Sequence, residues 1–154
     1  MSTAAENENN YPQSGLLEES AFLELLRTTD MLSRRSASVL KTEDLTSTQY
    51  NVLRILRGAP EGLPCGEIGN RMITRDPDIT RLLDRMEKRA LISRCREVKD
   101  RRLVTARITE EGLERLARLD KPVREALRKL LGHLGQERLR TLMQLLRDSR
   151  SQLT

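Results

Sequence analysis

The sequence predicts a mostly α-helical fold that carries one two-stranded β hairpin. Three observations predict it. Aromatic residues make up 2% of the chain and Trp is absent, so the core must come from Leu, Ile, Val, Met and Ala, a composition that favours helices over a β sandwich. Apolar residues recur at helical spacing along most of the chain. Only between Ile92 and Ile108 does the pattern change to strand-like alternation.

The 154 residues suit one domain. Charged residues reach 33% against 37% hydrophobic, so the core is thin and a second copy of the chain is an expected source of stability. Residues 1–15, rich in Ser, Ala, Glu and Asn, read as a disordered tail ahead of a single domain over 16–154. There is no secretory leader pattern and no apolar run near the ~20 residues that span a bilayer. Together with the two cysteines, Cys65 and Cys95, this points to a soluble chain of a reducing cytoplasm, without a membrane partner.

Each element has its own signal. Leu17, Ala21, Leu25, Leu32 and Val39 mark a helix from about Leu16 to Lys41. Thr46 and Gln49 form a capping box that opens a second helix, closed by the breakers between Gly58 and Gly62. A short helix fits Cys65 to Met72. Asp76 as N-cap and Pro77 as first helical residue then start a fourth helix. On it Ile79, Leu82, Leu83, Met86 and Ala90 form one face, while Thr80, Arg81, Asp84 and Lys88 lie opposite, flanked by Asp78 and Arg85. Strands over Ile92–Val98 and Leu103–Ile108 enclose a polar tip, Lys99 to Arg102. Thr109 caps a long helix with Glu110 and Glu111 in its first turn, which Pro122 kinks or interrupts. The last helix runs from Gln136 to about Arg150.

Helix, short helix, tight turn, helix and hairpin is the order of a winged helix-turn-helix, here over 46–109. The short helix braces the one after it, and the outer face of the latter fits the major groove of duplex DNA, where base edges carry a readable pattern. Arg81 and Arg85 reach guanine edges or phosphates. Thr74, Asp78 and Thr80 contact bases or backbone, and Arg75 meets a phosphate. Charge is placed accordingly. Between Arg71 and Arg107 there are twelve bases and six acids, a surplus of six against a whole-chain charge of +5, so the remainder is near neutral.

The stretch Asp78 to Arg94 (DITRLLDRMEKRALISR), then Asp100-Arg101-Arg102, then Ile108 to Gly112 (ITEEG) resembles the MarR (multiple antibiotic resistance regulator) family, over roughly Leu16 to the C-terminus. The resemblance implies that residues 16–41 and 110–150 interleave with those of a second chain in a homodimer. It implies that Arg101 or Arg102 enters the minor groove, with Lys99 beside them and Asp100 shaping the wing tip. It further implies a repressor of transcription acting on a pseudo-palindromic operator and released by a small aromatic or anionic effector. Two positions depart from the family pattern. Ala90 replaces the usual Gly after the recognition helix, where a left-handed backbone would cost ~1 kcal/mol. Gly69 stands inside the short helix, where Ala is usual, at a similar cost of ~1 kcal/mol.

There is no cluster of His and Cys with zinc spacing, no phosphate loop and no nucleophile signature, so neither a cofactor nor a metal nor catalysis is expected. His133, the one histidine, sits between Gly132 and Gly135 and reads as structural or solvent-exposed. Cys65, near a helix start, is a candidate for a lowered pKa, but no resolving partner is visible for it or for Cys95. The rival to a sequence-specific regulator is a sequence-tolerant architectural DNA binder, separated by the ratio of specific to random binding.

Overall fold

The computed structural model describes residues 16–96 and 103–153. Six helices are present among them: α1 (Leu17–Leu40), α2 (Ser47–Arg57), α3 (Cys65–Arg71), α4 (Ile79–Lys88), α5 (Glu110–Leu131) and α6 (Gly135–Ser151). Single 3-10 turns at Lys41–Glu43 and Gly132–Leu134 lead into α2 and α6. Strands β1 (Leu63–Pro64), β2 (Ile92–Arg96) and β3 (Val104–Ile108) form an antiparallel sheet in the order β1-β3-β2.

The chain divides between Arg34 and Arg35 into two compact units. The first is helical from Leu17, with Leu17, Phe22, Leu25, Leu26 and Met31 exposed. Within it Arg27 pairs with Glu24 at 2.9 Å, one turn away, and Arg34 with Asp30.

The second unit holds the core. Val52, Leu53 and Leu56 of α2, Ile68 of α3, Leu82, Leu83 and Met86 of α4, Leu91 and Ile92 at the start of β2, and Leu116 and Leu119 of α5 are all buried together. These are aliphatic side chains at helical spacing, as the scarcity of aromatics requires. The caps fix where the helices begin. Thr46 Oγ1 accepts from Gln49 N at 3.2 Å while Gln49 Oε1 accepts from Thr46 N at 3.1 Å, the expected capping box. Thr109 Oγ1 accepts from Gly112 N at 3.1 Å and donates to Ala90 O at 2.6 Å, which joins the start of α5 to the end of α4.

Four expectations change. The sheet has three strands rather than two, because Leu63 and Pro64 pair with Ala106 and Thr105. A two-residue strand is too short to show a period, and Pro64 tolerates the position because an edge strand leaves one side without ladder bonds. With partners on both sides β3 is central, so Thr105 is buried along with Ala106, which breaks the simple alternation. β2 ends at Arg96 and β3 starts at Val104; residues 97–102 lie outside the described ones. The N-cap of α4 is Asp78, not Asp76, so Pro77 precedes the cap instead of following it. Asp76 Oδ1 accepts from Asp78 N at 2.9 Å, a turn that delivers Asp78 to the helix start. Finally, of the two outcomes expected at Pro122, interruption does not occur: α5 continues through it.

Candidate nucleic-acid interface

α3, the turn from Met72 to Asp78 and α4 make a helix-turn-helix, with β2 and β3 beside α4. The orientation of α4 follows from its apolar side. Leu82, Leu83 and Met86 are fully buried and Ile79 packs against them, so Thr80, Arg81, Arg85 and Lys88 face outward and are exposed. Thr74 and Arg75, in the turn before it, are exposed as well. Ala90, expected on the apolar face, instead lies two residues past the helix and is exposed.

Asp78 has two tasks at the helix start. Its Oδ1 accepts from Arg81 N at 3.0 Å, and its Oδ2 sits 3.0 Å from Arg81 Nε. The acid therefore caps α4 and steers a guanidinium that is 81% exposed, leaving most of that group open to a second anion. Asn51 of α2 secures the turn from the other side: its Oδ1 accepts from Ile73 N at 2.9 Å, one residue before Thr74.

Besides Arg81, most cations of this region fall into two sets. Arg71 pairs with Glu67 at 2.8 Å, Arg89 with Asp44 at 2.9 Å, and Arg94 with Asp84 and Glu87 at 2.5 and 2.7 Å. Arg75, Arg85, Lys88 and Arg96 are exposed and make no ion pair among the described residues. The second set is the positive charge free to meet an external polyanion. Lys99, Asp100, Arg101 and Arg102, expected at the wing tip, lie outside the described residues.

The family model described as MarR family matches residues 45–104, the span from the second helix to the base of the wing. A MarR transcription factor from Planctomyces limnophilus, whose crystal structure is known, is 36% identical; the match covers 86% of this chain and 97% of that one, with a TM-score of 0.68. The chain belongs to the MarR family. Among curated members, the homoprotocatechuate degradative operon repressor of Escherichia coli is 25% identical over 132 residues, 86% of this chain and 88% of its own length. The transcriptional repressor CouR, solved on a 23-mer DNA duplex, is 28% identical with a TM-score of 0.73, covering 86% of this chain and 91% of that one. The chain is thus a winged-helix, DNA-binding transcriptional regulator.

Further features of this MarR-family chain bear on its site. The backbone at Ala90 is left-handed, with φ of 55°. Ala90 N donates to Glu87 O at 2.8 Å and Leu91 N to Met86 O at 3.0 Å, the pair of bonds that closes a helix through a residue usually Gly. Sequence alone missed Arg94. Asp84 and Glu87 stand on α4, and Arg94 reaches both of them from β2. No helical spacing rule could have found that contact, since it depends on how the hairpin returns.

The Cys65 thiol also differs from expectation. Burial pushes the Cys65 thiol up, outweighing the opposite pull of the Arg94 charge, so the helix start does not make it a ready thiolate. β1 and β2 flank β3 on opposite sides, which places Pro64 and Cys95 two strand spacings, about 10 Å, apart. Cys65 follows Pro64, so a bridge to Cys95 would need backbone movement.

A cleft of about 500 Å³ opens between the end of α1, α2 and the second half of α5. Val39, Leu40, Ile55, Val123 and Leu127 give it an apolar lining. Ser36, Ser47, Tyr50, Asn51 and Arg54 add polar groups, and Arg54, stacked 5.8 Å from the Tyr50 ring centre, is the one charged residue of the lining. Ile73, which is 88% exposed, borders it. The cleft therefore touches the turn that leads into α4. No helix among the described residues is long and apolar enough to cross a membrane.

Proposed function

We propose that this chain is a cytoplasmic transcriptional repressor that binds a pseudo-palindromic operator as a homodimer. α4 enters the major groove. Arg81 and Arg85 read base edges, Thr80 and Thr74 contact bases or backbone, and Arg75 holds a phosphate. Asp78 orients Arg81 from the cap. Arg101 or Arg102 reaches into the minor groove, with Lys99 and Asp100 completing the wing. The observation that carries this reading is the split of α4, with Leu82, Leu83 and Met86 buried and Arg81, Arg85 and Lys88 outward.

Release by an effector belongs to the same reading. The cleft has the size and mixed lining of a small-ligand site, which runs from roughly 300 to 1,000 Å³. Its lone cation, held over a ring, suits a small aromatic anion such as a carboxylate or phenolate.

The test is fluorescence anisotropy with a duplex selected by the protein from random sequence, beside a scrambled duplex of equal length. Arg81→Ala and Arg85→Ala are expected to weaken binding and change the preferred sequence; Arg101→Ala and Arg102→Ala weaken both duplexes alike. Wild-type binding by all four would overturn the assignment, and equal affinity for the two duplexes would make the protein an architectural binder. Benzoate and phenylacetate, added to the complex, are expected to release the wild-type protein but not Arg54→Met.

A further inference from the structure

We infer that Arg94 is a positioning residue for DNA binding: it locks the recognition helix to the wing strand and so sets the register in which the two meet one duplex. The inference rests on a clasp between two elements that both face DNA in the proposed mode. Arg94 N, in the backbone of β2, donates to Glu87 Oε1 at 3.0 Å. Its Nε and Nη2 donate to Glu87 Oε2 at 3.0 and 2.7 Å, and Nη2 also to Asp84 Oδ1 at 2.5 Å. Both oxygens of Glu87 are thus held by one residue of the neighbouring strand.

The placement of the clasp decides what it does. Asp84 and Glu87 lie one turn apart on the flank of α4, between its buried and outward faces. Leu82, Leu83 and Met86 hold the helix down from below, but apolar contacts are non-directional and resist rolling poorly. A forked guanidinium on the flank is directional and removes that freedom. The Arg94 side chain is 20% exposed, so its bonds are shielded from water and from salt more than those of the outer cations. The clasp also engages two carboxylates that would otherwise stand unpaired beside DNA phosphates.

Charge and geometry can be separated by experiment. Arg94→Lys keeps the cation but offers a point charge in place of a fork. Glu87→Gln keeps an oxygen for the β2 backbone but removes the ion pair. Each variant is first shown to melt cooperatively, then titrated against the selected duplex and the scrambled one. A coupling of this kind is expected to cost about tenfold in affinity for the selected duplex, and less than about threefold for the scrambled one, so the ratio falls. Glu87→Gln serves where Arg94→Lys fails to fold. Parallel losses on both duplexes, or no loss on either, would overturn the inference. Because the selected duplex is defined by wild-type binding, its failure is distinct from failure to bind DNA.

Discussion

Single residues carry the clearest tensions of this chain. Ala90 adopts the left-handed backbone at the end of α4 that glycine would take without strain. Its Cβ costs about 1 kcal/mol there. Ala90→Gly is therefore expected to stabilise the protein by roughly that amount, partly offset by the added freedom of the unfolded chain. A shift of the urea midpoint to higher concentration at unchanged slope would show it; a lower midpoint would mean that the alanine methyl makes a contact worth more than the strain. Asp78 shows the opposite economy. One carboxylate caps the helix and aims Arg81, so the residue at the entrance to the recognition helix is acidic although the surface is basic. Cys65, seen only as a residue beside a helix start, invited the wrong expectation about its thiol; burial, a property of the fold, decides the direction.

At the scale of elements, the sequence is legible where the signal is local. The capping box at Thr46, the Thr109 cap and, Ala90 apart, the apolar face of α4 follow from neighbours within one or two turns, and stand as expected. What failed was set by distant partners. β1 exists because β3 offers it an edge, not because Leu63 and Pro64 have a pattern. Asp76 yielded the cap to Asp78 because the turn needed its side chain for itself. The partners of Asp84 and Glu87 come from the strand that follows, beyond any helical periodicity. Of the candidate site, Thr80, Arg81 and Lys88 were readable as outward, whereas Asp84, read with them, lies on the flank in a clasp that was not. The junction of β3 and α5 allows a further prediction. A Cβ on Gly112 would lie 2.4 Å from Leu91 O and 2.8 Å from Ile108 Cγ1. Gly112→Ala is expected to cost about 1–3 kcal/mol by overpacking, although alanine favours helices, and thermal melting would measure it. An unchanged or raised midpoint would show that the junction is looser than these distances imply.

For the molecule as a whole, the apolar residues left uncovered point beyond one chain. Leu142, Met143 and Leu145 of α6 and Leu113 of α5 are exposed, more apolar surface than a lone soluble helix pair normally shows. In the proposed homodimer a second copy covers them. Leu142→Glu with Leu145→Glu is expected to shift sedimentation from dimer to monomer and to weaken operator binding with it, since each chain then holds one half-site alone. A dimer that survives both changes would place the contact elsewhere. The long helix α5 adds a division of its own. Ahead of Pro122 it is fastened to the core and to the turn before α2: Leu116 and Leu119 are buried, Arg115 Nη1 donates to Glu43 O at 2.8 Å, Arg118 bonds the Glu43 carboxylate, and Arg57 Nη1 donates to both oxygens of Asp120 at 3.0 and 2.9 Å. After it, Val123, Ala126 and Leu127 line the cleft. Pro122 has no N–H for the Arg118 carbonyl, so the weakest rung of the helical ladder falls where fastened rod gives way to pocket wall. A molecule seated in the proposed effector cleft would press on the rod just past that missing rung, a few residues from the Arg57–Asp120 pair that ties it to α2.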